Sequence, residues 1–118
     1  MATDRDRTQH AFLIAMLDVN PTIDHDEFND WYDEEHMAKR LACPGFVAGR
    51  RFRAFEGMPN YATIYELASV GALRTPEYLS LHSARRPLSS ASERSRRMTK
   101  AYQKLTRNVF YEITKRAR

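Results

Sequence analysis

Residues 45–68 read GFVAGRRFRAFEGMPNYATIYELA, and this stretch decides the fold. Phe46, Ala48 and Phe52 alternate on one face of residues 45–55, with polar or small residues between them, which is the period of a half-buried strand. EGMPN supplies turn chemistry, and YATIYELA (61–68) continues with β-branched and aromatic residues. The pattern predicts a hairpin in the middle of the chain, so what precedes and follows it fixes the topology.

Upstream, Pro44-Gly45 ends a helical stretch that starts at Asp24, a candidate N-cap with Glu27 three residues on, and runs to about Ala42. Before that helix, AFLIAMLDV (11–19) is a near-continuous apolar run of strand length, stopped by the NPT that contains Pro21. Downstream, SVGALRTPEYLSLHS suits a short helix interrupted near Pro76, and the Arg/Ser-rich segment 84–104 is expected as an exposed helix or irregular connection. NVFYEITK (108–115) alternates Val109, Tyr111 and Ile113 against Phe110 and Thr114 as a last strand. The order β-α-β-β-α-β is the split βαβ arrangement, an α+β fold with an antiparallel sheet and helices on one face. Its other face keeps apolar groups uncovered, which predicts a two-fold homodimer with sheets facing each other.

At 118 residues and 13.8 kDa the chain suits one domain, 1–118, with residues 1–9 expected to be disordered. No apolar run approaches the roughly 20 residues of a membrane helix, the start MATDRDRTQH lacks a signal peptide's apolar stretch, and Cys43 is the single cysteine. A cytoplasmic protein without a disulfide or a membrane contact is expected. Residues 1–84 carry 8 Lys/Arg against 13 Asp/Glu, and residues 85–118 carry 11 against 2, so a net −5 is followed by +9. These halves are expected to attract each other within the fold or across a dimer. Charge alone argues for nucleic acid, and no such partner is expected.

The chemistry-bearing stretch is WYDEEH, Trp31 to His36. On a wheel of about 100° per residue, Phe28, Trp31, Tyr32, Ala42 and Cys43 share a broad apolar face with Glu35 near its centre and His36 at its edge. Asp33, Glu34 and Met37 point elsewhere. A carboxylate facing an apolar surface needs a partner. For Glu35 that partner is either Arg50, placed in register with Phe46 and Phe52 as a structural ion pair, or a substrate or proton-transfer group that Glu35 orients. His36 titrates near neutrality and suits general acid/base work beside Tyr32 and Trp31, whose rings would wall a site for an aromatic ligand. Tyr65 and Tyr111 would offer phenolic donors from the sheet, and His82 is a further candidate. Asp33-x-x-His36 has metal-ligand spacing but no completing pair, so neither a metal nor another cofactor is expected, although His36 or His82 has the chemistry to ligate haem. GxSxG, GxGxxG, P-loop and HExxH motifs are absent.

The run FNDWYDEEHMAKRLACPGFVAGRRFRA, with NYATIYEL and TPEYLSL after it, resembles the dimeric α/β-barrel superfamily, particularly its EthD-like branch, over about residues 11–81. The aromatic pair followed by His36 and the Pro44-Gly45-Phe46 break are its most specific parts. EthD-like sequences often place Pro soon after that histidine, where this chain has HMAKRLACPGF. The resemblance implies a ferredoxin-like subunit that pairs through its sheet into a dimeric barrel, with a pocket between helices and sheet, and it aligns His36 with the family's histidine. It also implies relatives that include cofactor-free cyclases, isomerases, dehydratases and monooxygenases, along with haem-dependent members. The expectation is a small cofactor-independent enzyme working by acid/base chemistry on an aromatic or polyketide-like carbonyl compound as a cyclase, isomerase, dehydratase or lyase. His36, Glu35 and Arg50 would be catalytic, and Trp31, Tyr32, Tyr65, His82 and Tyr111 would bind substrate. The alternatives are a non-catalytic ligand-binding dimer and a cofactor-free monooxygenase.

Overall fold

A computed structural model describes residues 10–81 and 92–114. The expected disorder of 1–9, His82, the start of the Arg/Ser-rich segment and Lys115 lie outside the described residues.

Strand β1 (Ala11–Val19) holds the centre of a four-stranded antiparallel sheet of order β2-β3-β1-β4, with β2 Phe46–Arg53, β3 Tyr61–Leu67 and β4 Tyr102–Tyr111. This is the ferredoxin-like arrangement that the central hairpin predicts. The helical stretch is one rod in three parts, α1 (His25–Trp31), a π turn (Tyr32–His36) and α2 (Met37–Leu41). Asp24 caps it as expected, Oδ1 accepting from the amides of Asp26 at 2.9 Å and Glu27 at 3.2 Å. A 3-10 turn (Val70–Arg74) leads to α3 (Pro76–Leu79), where Thr75 caps and Pro76 takes the first-turn place that needs no amide donor. Helix α4 (Glu93–Thr99) packs beside α1.

Leu13, Leu17, Tyr61, Tyr65 and Leu67 of the sheet and Phe28, Trp31, Tyr32 and Met37 of the rod form the core between the two layers. Tight contact at the rod's end rests on Gly45, whose φ of +89° suits glycine. A Cβ there would lie 2.6 Å from Ala72 Cβ.

Two arginines of the basic half meet the acidic half inside the subunit. Arg94 of α4 meets Glu34 at 3.1 Å and Glu35 at 3.6 Å, and Arg97 pairs with Glu27. The hydrogen bond from Arg97 holds the Glu27 carboxyl below the usual carboxylate range.

Three expectations change. Met37 is buried rather than turned away. The last strand starts at Tyr102, six residues before Asn108, and absorbs an irregularity near Lys104, whose φ is +52°. Strand β2 shifts register between Phe46 and Ala48, so Val47 is an extra residue and the alternation inverts beyond it. Gly49 and Arg51, opposite Tyr65 and Thr63, then share the helix-side face, while Ala48, Arg50 and Phe52 turn to the uncovered side.

Candidate active site between the helical rod and the sheet

The π turn decides which WYDEEH side chains face the sheet. Met37 N–H donates to Tyr32 C=O, five residues back, so the turn holds one residue more than the i→i+4 pattern. Each residue therefore advances by less than the wheel's 100°, and His36 falls over Trp31 and Tyr32. Its ring centroid lies 4.5 Å from Tyr32 and 5.2 Å from Trp31, and Tyr102 of β4 approaches edge-on at 6.3 Å.

Glu35 is rotated to the flank of the rod, with a quarter of its side chain exposed. It accepts hydrogen bonds from Ser92 Oγ at 2.8 Å and Ser95 Oγ at 3.3 Å and faces Arg94. Ser92 is the N-cap of α4, so Glu35 sits where a negative charge favours that helix start. The expected ion pair between Glu35 and Arg50 does not form, because the shift at Val47 carries Arg50 to the opposite side of the sheet. Arg51 reaches the rod instead, its guanidinium 4.1 Å from the Tyr32 ring centroid, with Nη1 3.3 Å from Asp33 Oδ1 and Nη2 donating to Asn29 Oδ1 at 3.0 Å. Asp33 and Glu34 are solvent-facing, as expected.

On β3 stands Tyr65, 2% exposed, with its ring against Phe46 at 5.5 Å and over Gly49. Tyr102 Oη is buried without a hydrogen-bond partner among the described residues, and the buried Tyr65 Oη has the Tyr32 phenol beside it. Burial pushes the Tyr65 phenol well above its ordinary range, with the neighbouring Tyr32 phenol adding through its charge and a hydrogen bond and Arg40 opposing. Burial likewise raises Tyr102, again with Tyr32 adding, while Arg40 and Arg51 oppose. Tyr32 and Arg40 thus act on both phenols, which places the two groups in one neighbourhood. Arg40 is anchored there by Nη1, which donates to the His36 carbonyl at 3.0 Å.

The structure brings together His36, Trp31, Tyr32 and Tyr65 of the expected site residues. It leaves out Tyr111, which pairs with Ala11 nine residues along β4 from Tyr102, roughly 30 Å away at strand rise. It adds Tyr102, Arg40 and Arg51. Tyr102 stands ahead of the expected strand in a basic segment, and the irregularity at Lys104 leaves no regular alternation to mark it. For Arg40 the signal was the i+4 spacing from His36.

Among the described residues no group of three or more His, Cys, Asp or Glu is placed to hold a metal ion, and no helix is long and apolar enough to cross a membrane. The cluster offers an imidazole for proton transfer, phenol donors, cationic charge and aromatic walls.

No family model and no curated protein matches the chain. Among solved structures it is similar to a mutant form of SnoaB of Streptomyces nogalater, described as a cofactor-independent oxygenase, with a TM-score of 0.62 and 14% identity over 91% of this chain and 96% of that one. A dimeric ferredoxin-like protein from an uncultured marine organism gives 0.59 and 16% over 98% and 96%. An ethyl tert-butyl ether D (EthD) family protein of Bacillus halodurans gives 0.55 and 20% over 88% and 99%. These likenesses establish the fold, the one used by dimeric ferredoxin-like, or dimeric α/β-barrel, proteins.

Proposed function

We propose that the protein binds a hydrophobic, oxygen-bearing aromatic molecule at the cluster of His36, Tyr32 and Tyr102, and that it oxygenates this molecule without a cofactor. The observation that carries this reading is the buried Tyr102 hydroxyl, which has no hydrogen-bond partner among the described residues and whose ring lies 6.3 Å from that of His36. Buried polar groups are nearly always paired, and an orphaned donor beside a titratable ring is what a ligand oxygen would complete.

In this reading His36 removes a proton from a methylene activated by an aryl carbonyl, and Tyr65 and Tyr102 donate hydrogen bonds to the enolate oxygen that develops. Trp31 and Tyr32 hold the ring system. The electron-rich enolate reduces dioxygen. One oxygen atom ends on the carbon as a new carbonyl, the other leaves as water with the two methylene hydrogens, and the carbon supplies the electrons. Similarity to SnoaB, a cofactor-independent oxygenase by its description, favours this over proton transfer alone. Glu35 and Arg50 have no catalytic part in it.

The uncovered sheet face carries Phe12, Phe52 and Phe110, each more than a third exposed, and a concavity of about 280 Å³ whose lining includes Phe12, Phe52, Ile64 and Ala48. In this reading a second copy covers it, as the described dimeric relative suggests, and the solution mass is twice 13.8 kDa.

The test is oxygen uptake with a panel of aryl ketones bearing an activated methylene, with products identified by mass spectrometry. One dioxygen consumed per new carbonyl supports the reading. Turnover without oxygen uptake returns the isomerase, cyclase, dehydratase or lyase chemistry, and binding without turnover leaves a ligand-binding dimer.

A further inference from the structure

We propose that two copies of the chain pair in one register, in which Phe110 of each copy fills the hollow over β2 and β3 of the other. The proposal rests on the dimer of the preceding reading and not on oxygenation.

The strand registers lay out the uncovered face. Ala48, Glu66, Phe12 and Phe110 stand side by side across β2, β3, β1 and β4, and Arg50, Ile64, Ile14 and Asn108 form the next row. The lining of the hollow includes Phe12, Ala48, Arg50, Phe52, Ile64 and Glu66, so it lies mainly over β2 and β3, where Ala48 contributes only a methyl group. Its volume of about 280 Å³ falls just short of the about 300–1,000 Å³ of ligand pockets, which suits a side chain better than a substrate. Phe110 stands at the other edge of the sheet, outside that lining, and is 51% exposed. One half of the face is thus hollow, and the other half carries an exposed ring. A two-fold interface is one patch that fits itself, each contact recurring with the copies exchanged. An axis over the middle of the sheet, near the Ile14–Ile64 pair, exchanges the two halves and sets each Phe110 against the other copy's hollow.

The charges in the hollow favour a second copy over a purely apolar partner. Arg50 and Glu66 are not ion-paired among the described residues. Covering the face takes both from water, so each needs a polar group there. Asn108 is exposed and stands two residues before Phe110 on the same face. Its carboxamide can accept from a guanidinium and donate to a carboxylate. Strand β4 of a second copy therefore brings a ring for the hollow and an amide for its two charges. The hollow itself depends on the shift at Val47, which turns Ala48 and Arg50 to this face.

The test measures dimer dissociation of the full chain by analytical ultracentrifugation and the make-up of mixtures by native mass spectrometry, with each variant checked by circular dichroism for retained fold. Phe110→Ala removes the ring, and Ala48→Trp fills the hollow. Each should weaken its own homodimer at least about hundredfold, because a contact worth about tenfold is lost twice. Phe55→Ala, at a fully exposed position between β2 and β3, should leave dissociation unchanged. Mixed in equal amounts, Phe110→Ala and Ala48→Trp should form more heterodimer than the roughly one half of random pairing. In that heterodimer the intact ring meets the intact hollow, and the lost ring meets the filled one. Should Ala48→Trp lose its fold, Ala48→Leu, a smaller filling, takes its place. Homodimers as tight as the wild type, or a mixture without excess heterodimer, overturn the proposal and leave the dimer standing. A wild-type chain that stays at 13.8 kDa removes the dimer and the proposal together.

Discussion

Trp31 Nε1 donates to the Ser95 hydroxyl at 2.9 Å, which joins the largest fully buried side chain of the helical rod to α4. The same hydroxyl donates onward to Glu35, so one serine satisfies an indole and a carboxylate. Ser95→Ala leaves a buried indole N–H unpaired and should cost about 1–3 kcal/mol in urea unfolding. A midpoint unchanged within error would mean that the indole finds water instead.

Glu35→Gln keeps an acceptor for Ser92 and removes only the charge that faces Arg94. Because that pair is partly exposed, stability should fall by no more than about 1 kcal/mol. Turnover of any accepted aryl ketone should change less than about threefold, well under the 10²–10⁴ of a lost acid or base. Arg50→Ala should behave likewise. A hundredfold loss in either variant would restore these residues to the reaction.

Gly49→Ala adds a methyl group against the Tyr65 ring, 3.1 Å away, and Leu41 Cδ2, 3.3 Å away. Leu41 is exposed and can swing aside, but Tyr65 is enclosed, so the cost falls on the phenol. A loss of roughly 1–3 kcal/mol is expected, the usual range for overpacking. Ordinary strand preference would make alanine an improvement, so a stabilised variant would show that the ring has room.

The alkaline limb of stability follows from the two raised phenols. In the unfolded chain Tyr65 and Tyr102 titrate near the ordinary value of 10.0, whereas folding keeps them protonated to higher pH. Below that value both states hold the protons and stability does not respond. Above it the folded state binds more protons than the unfolded one, so stability falls as pH rises through the gap. Urea midpoints measured from about pH 9 to about pH 11 should decline, and the decline should be shallower in Tyr65→Phe and Tyr102→Phe. Equal slopes in all three proteins would contradict the burial of these hydroxyls.

How far the sequence carried depends on the regularity of the backbone. Strand β1 coincides with its apolar run, Asp24 caps where its side chain is expected, and Pro44-Gly45 breaks the rod because glycine alone tolerates the contact with Ala72. These features act locally. The errors all sit where one residue is gained. At Val47 a shift in register inverts the alternation and sends Arg50 to the wrong side of the sheet for Glu35. In Tyr32–His36 a π turn exchanges Glu35 for His36 on the sheet-facing side. Near Lys104 an irregular strand hides Tyr102 in a basic segment. Neither a 100° wheel nor a period of two can register an inserted residue, since tertiary packing decides whether the irregularity is tolerated. The elements were therefore readable while the partners of the site residues were not.

The central claim is that His36, brought over Tyr32 by the π turn, exchanges a proton with a ligand held by Tyr65 and Tyr102. The most direct measurement is the rate of oxygen uptake by His36→Ala beside the wild-type chain, with an aryl ketone that the wild type oxygenates. Turnover is expected to fall by about 10²–10⁴-fold. Full turnover in His36→Ala would contradict the claim.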